Sequence, residues 1–268
     1  PTEIYPLSLH GALPIWVDCH LLAADRALRD GQNAAAGERF LRAEALLEGL
    51  GDPEDARWEE VSFGLCEILI LAGRITEAER RLERSDVRHD PVANERRRVL
   101  RARLDEARGR VEDAREAWSL LGATSTACAT GAQAQVALVL LDLDDGRPDL
   151  ARSRLLQVEA NGLDRLPERI QGLFLLAKGR LSASVGNVSE AFEHFARALG
   201  VLTAPCDVPD RAQALLDRAL LNLELGRTDP ALEDFRTGVA LCAMADCVGG
   251  LAGHLTGLPY ARAGFDLP

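Results

Sequence analysis

Apolar side chains recur along this chain at the three- and four-residue spacing of one helix face, in stretches interrupted by polar, proline-bearing segments. Residues 58–72 and 212–225 are clear instances, each long enough for about four helical turns. A glycine closes each one, because glycine alone takes the left-handed turn conformation without strain. A second periodic stretch resumes two or three residues later, with Thr76, Asp113, Asp149 and Ser189 as its openers. Polar joints at 51–56, 86–91, 161–167 and 203–209 separate the pairs. The prediction is an all-α fold built from consecutive antiparallel helical hairpins.

The pattern repeats in register. Six times a glycine is followed at plus five by alanine and at plus nine by a bulky apolar residue. The sets are Gly31, Ala36, Phe40; Gly73, Ala78, Leu82; Gly109, Ala114, Trp118; Gly146, Ala151, Leu155; Gly186, Ala191, Phe195; and Gly226, Ala231, Phe235. Successive glycines stand 42, 36, 37, 40 and 40 residues apart. Ala24, Cys66, Ala102, Val139, Gly179 and Ala219 precede them by seven, and Ala43, Ser85, Leu121, Val158, Ala198 and Gly238 follow by twelve. Two closely crossing helices require short side chains at minus seven and plus five, and the bulky residue at plus nine fills the space beyond the crossing.

This register of small residue, glycine, alanine and aromatic resembles that of the tetratricopeptide repeat family over residues 16–268. The resemblance implies a right-handed superhelical solenoid of about six and a half hairpins. The repeats depart from the family in three ways: they are longer than its usual ~34 residues, the proline after the second helix is irregular, and the third is rich in arginine. Periods near forty look more like the sensor solenoids of large bacterial ATP-dependent regulators, including LuxR-type activators. Gly257 and Gly264 continue the register, so residues 248–263 are expected to be the first helix of a seventh hairpin, truncated before its alanine.

Residues 1–15, PTEIYPLSLHGALPI, have no basic start, long apolar centre or small-residue cleavage site, and so do not read as a signal peptide. They resemble TTEIYTLSLHDALPI, the translation of an adapter used in short-read DNA sequencing, differing only at Pro1, Pro6 and Gly11. They are expected to be a scar on an assembled gene fragment, outside the fold.

Composition narrows the function. A net charge of −11 disfavours a surface that coats nucleic acid. The longest aliphatic run, Val136 to Leu141, is far short of a membrane span. The six cysteines, at 19, 66, 128, 206, 242 and 247, form no CxxC pair, and most are expected to be small core residues. Lys178 is the only lysine among 31 basic residues, a skew that suggests a high-GC bacterial genome. No GxSxG, HExxH or GxxxxGK is present, and neighbours such as Cys19 and His20 point about 100° apart on a helix. The expectation is a non-enzyme with no metal and no cofactor.

In the family, first helices line a concave groove that meets ligands near minus thirteen, ten, six, three and two from the glycine. By that resemblance the groove holds Glu60, Phe63, Glu67 and Ile70, then Arg96, Val99, Arg103 and Glu106. Leu173, Leu176 and Arg180 follow, and then Gln213, Leu216, Leu220 and Leu223. Arg96, Arg103 and Arg180 are the expected acceptors for an acidic partner, with Phe63, Val99, Leu176, Leu216 and Leu220 as apolar contacts and Glu67 among them. The family's carboxylate clamp uses lysines and asparagines in the groove, and Lys178 lies outside those positions, which disfavours capture of chaperone tails. Arg96, Arg97, Arg98, Arg101 and Arg103 point around their helix with no interleaved aromatics, so they read as solvated or paired between repeats. The expected function is a protein-protein interaction scaffold in a bacterial cytoplasm, taking a protein or peptide segment that is acidic or amphipathic, with no membrane or nucleic-acid partner. The alternative is the sensor section of a larger transcriptional or signalling regulator, binding an inducer or a neighbouring domain. Homo-oligomerisation through the groove or an open end is a third reading.

Overall fold

A computed structural model describes residues 9–84, 91–125 and 128–244. Among them are twelve α-helices and no strand. The helices pack in chain order as adjacent pairs: α1 (Leu9–Arg29) with α2 (Asn33–Leu50), α3 (Arg57–Leu71) with α4 (Ile75–Arg84), and α5 (Pro91–Ala107) with α6 (Val111–Thr124). Then come α7 (Cys128–Asp144) with α8 (Pro148–Ala160), α9 (Glu168–Ser184) with α10 (Val188–Val201), and α11 (Val208–Glu224) with α12 (Thr228–Met244). Single 3-10 turns, Leu163–Arg165 and Pro205–Asp207, shape the joints ahead of α9 and α11. Ser85, most of the 86–91 joint, residues 1–8 and the expected seventh hairpin lie outside the described residues. Leu9 to Ile15 form the first turns of α1, so the boundary expected at residue 16 falls inside a helix. The Pro14 carbonyl there accepts a 2.9 Å hydrogen bond from Arg57 Nη1 on α3.

All six register glycines take positive φ, between 68° and 81°. At each, the next residue's N–H returns to the carbonyl four before the glycine at 2.8 Å, as in Gln32 to Ala27, Arg110 to Asp105 and Arg227 to Asn222. This wrapped turn satisfies carbonyls that a helix end otherwise leaves open. The same residue then accepts from the N–H of the plus-five alanine, so the second helix opens on backbone alone. The expected caps are corrected accordingly. Thr76, Asp113, Asp149 and Ser189 lie inside the first turn, and α6, α8 and α10 show no side-chain cap. The acids among them still favour the positive helix end.

Packing follows the register. Every plus-five alanine is buried, as are the described minus-seven residues. Phe40, Leu82, Trp118, Leu155 and Phe195 at plus nine are enclosed too, while Phe235 is 38% exposed. Most core clusters join a hairpin to the first helix of the next: Leu21, Phe40 and Leu47 meet Val61 and Leu65 of α3, and Val139 and Leu155 meet Ile170 and Phe174 of α9. A Cβ on Gly64 would stand 2.2 Å from the Phe40 ring, and one on Gly179 would stand 2.6 Å from that of Phe195. The aromatic rings occupy the space those glycines leave.

Charged pairs bridge successive hairpins. Asp142, 1% exposed, takes Arg115 of the preceding hairpin at 2.6 Å and Arg154 of its own at 2.8 Å. Glu79 on α4 is met by Arg108 and, at 2.9 Å, by Arg110 from the following hairpin. In the arginine run, Arg97 donates to the Leu82 carbonyl and Arg101 reaches towards Glu79. These contacts make that run a seam between repeats.

Candidate functional site: the charged row along the first helices

The residues that the sequence places in one groove separate into two groups. Phe63, Leu176 and Leu216 are core: Phe63 packs with Leu100 and Leu104, Leu176 with Leu202 and Ala214, and Leu216 with Ala212 and Cys242. They offer no surface to a partner: Phe63 and Leu176 are covered by the next hairpin, and Leu216 by its own second helix and Leu71 of α3. Val99 is half-buried against the Trp118 cluster. Leu220 is half-buried, and Leu223 beyond it is exposed. Arg96 stays exposed with its guanidinium 5.7 Å over the Phe63 ring.

The charged group comes together. Arg103 on α5 meets Glu67 on α3 at 2.9 Å. Arg180 on α9 meets Asp144 on α7 at 2.5 Å and stands 3.7 Å from Asp217 on α11. A single row of side chains therefore runs across α3, α5, α7, α9 and α11 with alternating sign. Two of the three arginines expected to receive an acidic partner, Arg103 and Arg180, are already engaged by carboxylates of this chain.

The row leaves acid in excess. Glu106 accepts a 2.7 Å hydrogen bond from Trp118 Nε1 through one oxygen. The residue as a whole is exposed, but Trp118 of α6 and Asp144 of α7 face its carboxyl. Desolvation pushes it up to about 7 against the help of Trp118 and Arg103, and Asp144 adds to the shift. Burial and then neighbouring Asp25 raise Glu60, and burial raises Asp217 despite Arg180. Glu67 is the exception: burial opposes its ionisation, but Arg103 outweighs it and holds the carboxyl below the ordinary range.

A second feature lies where the first two hairpins reach the joint ahead of α11. Gly31 faces Pro205 so closely that a Cβ would stand 2.6 Å from the Pro205 carbonyl oxygen. Leu71 at the end of α3 packs against the cluster of Ala212, Leu216 and Cys242. Between these contacts is a cavity of about 120 Å³ lined in part by Arg29, Glu67, Arg103, Arg169 and Cys206. Arg169 is held by Asp210 at 2.6 Å, which raises its pKa. Cys206 is exposed, as is Cys19, while Cys66 and Cys242 are buried, so the core reading holds for only part of the set.

Sequence reasoning missed Asp144, Asp217 and Arg169. Asp144 stands at minus two of the fourth repeat, inside the register that named the other groove residues. Asp217 lies one helical turn beyond Gln213 and is bonded to its amide at 2.9 Å. Among the described residues no cluster of His, Cys, Asp and Glu is arranged to hold a metal ion, and no helix is long and apolar enough to cross a membrane.

No protein-family model and no curated protein matches this chain. Among solved structures it is similar to the crystal structure of BtubC (BKLC) from P. vanneervenii, at a TM-score of 0.47 and 16% identity, over 85% of this chain and 91% of that one.

Proposed function

We propose that the chain is a protein-binding helical-repeat module of tetratricopeptide type, a right-handed superhelical solenoid whose first helices engage a protein or peptide segment. The observation that carries this reading is the row Glu67, Arg103, Glu106, Asp144 and Arg180 along successive first helices, with Leu220 and Leu223 beside its far end. A row of charged groups repeated at hairpin spacing, with apolar contacts at one end, suits an extended ligand that meets several repeats in turn. A binding protein in a bacterial cytoplasm, rather than an enzyme, is part of the same proposal.

The test is a random peptide library panned against the full chain. Enriched peptides are expected to lose at least tenfold in affinity when Leu220→Asp and Leu223→Asp are combined, and to be unaffected by Leu156→Asp at an exposed position on α8. Peptides indifferent to the paired change would sink the reading.

The cavity beside Gly31 favours one alternative, the sensor section of a regulator, since a partly open space of about 120 Å³ would take a small molecule rather than a peptide. A metabolite screen by thermal shift separates the two: a stabilising compound whose effect is abolished by Arg169→Ala supports the sensor.

A further inference from the structure

Four carboxylates, Glu67, Glu106, Asp144 and Asp217, share the row with Arg103 and Arg180. Both arginines are committed, Arg103 to Glu67 and Arg180 to Asp144. Asp217 is 7% exposed, and its Oδ2 has no hydrogen-bond donor, since Arg180 Nε stays 3.7 Å away. One turn earlier on α11, Gln213 gives its amide N–H to Asp217 and leaves its own Oε1 without a donor. Two buried acceptors thus stand unsatisfied beside carboxylates that already outnumber their cations. Buried acceptors left unpaired cost stability, and a donor-bearing cation would relieve both deficits at once.

We propose that this row receives a basic side chain, lysine or arginine, of the bound protein segment, with Asp217, Gln213, Asp144 and Glu106 as its acceptors. The inference rests on the protein-binding reading and reverses the acidic partner expected from the arginines. An ammonium or guanidinium supplies donors only, which matches the unsatisfied acceptors of Asp217 and Gln213. It also matches a chain of net charge −11, whose field draws cations in.

Glu106 gives the site a pH signature. The charged and polar groups facing it are Arg103 on its own helix, Trp118 on α6 and Asp144 on α7, with Glu67 beyond Arg103 and Arg180 beyond Asp144. A carboxyl that titrates at about 7 must ionise before it pairs with a cation, so affinity should rise about tenfold between pH 6 and pH 8. Ordinary surface carboxylates are fully ionised across that range and add no such slope.

The probe is a fluorescent hexaarginine peptide titrated into the full chain, with hexaglutamate as its counterpart. Hexaarginine should bind, more tightly at pH 8 than at pH 6, and hexaglutamate should not. Glu106→Gln should flatten the pH dependence, and Asp144→Asn should weaken binding about tenfold. Asp149→Asn, which removes the same charge from an exposed position, should change affinity less than twofold. Equal losses at Asp144 and Asp149 would show diffuse attraction and overturn the site, and so would displacement of the peptide by spermine at equal charge. Both variants are checked by circular dichroism, and Glu106→Gln is isosteric, so unfolding is not confused with lost binding. Library peptides that depend on Leu220 and Leu223 yet carry no basic residue would leave the protein-binding reading standing and remove this one.

Discussion

At the scale of single residues, the tightest constraints are places where one atom more has nowhere to go. Ala191 is fully buried in the first turn of α10, so Ala191→Leu forces extra methylenes into the packed core and should destabilise the chain by about 1 to 3 kcal/mol. Ala35→Leu, at an exposed position on α2, should change the midpoint of urea unfolding little, and equal effects would show that the alanine register is not structural. Glu106 makes a different kind of prediction. Its folded pKa of about 7 lies above the unfolded value near 4.5, so the folded state binds its proton more tightly. Its contribution is therefore most favourable below about pH 4.5 and is lost as pH rises through 7. The melting temperature of the native chain should fall relative to that of Glu106→Gln between pH 5 and pH 8, and parallel curves would remove the crowding argument.

At the scale of helices and hairpins, what could be read from the sequence was what repeats locally. Gly109, Ala114 and Trp118 lie within ten residues of one another, and their spacing alone dictates a turn, a crossing and a filled gap, all of which the structure shows. The caps were misread because Asp113 and Ser189 match the chemistry of an opener, while the wrapped glycine turn already supplies the backbone bonds that a cap would provide. The charged row was harder. Arg103 and Glu67 are 36 residues apart, and which carboxylate faces an arginine depends on the offset between hairpins, which no local pattern encodes. The same applies to Asp142, whose partners come from α6 and α8. Asp142→Ala would remove the buried carboxylate shared by Arg115 and Arg154, leaving Arg115 with Asp145 and Arg154 with Gln135, and should cost about 3 kcal/mol, because a buried charge network loses its central partner. Replacing Asp149, whose side chain is almost wholly exposed, should cost less than about 0.5 kcal/mol by the same measurement.

At the scale of the whole molecule, the contact of Gly31 with Pro205 and of Leu71 with the Ala212 cluster changes how stability should be shared. In a solenoid whose repeats touch only their neighbours, stability is a sum of local terms, and a change in hairpin two is felt by hairpins one and three. Here the end of α3 also packs on α11, and the α1–α2 turn rests on the joint before it. Leu71 is half-buried in that contact, and Leu71→Asp removes apolar cover worth about 1 to 1.5 kcal/mol, close to a tenfold change in an opening equilibrium. Amide hydrogen exchange should therefore quicken about tenfold both at Gly31 to Asn33 and across Cys206 to Ala212, although these stretches belong to hairpins far apart in the chain. Exchange in the middle of α7 and α8 should stay as it was, since neither helix shares the Leu71 contact. Faster exchange confined to α3 and α4 would mean that the repeats behave as a simple row of neighbours. The small cavity between Arg29 and Arg169 would then have walls that move independently.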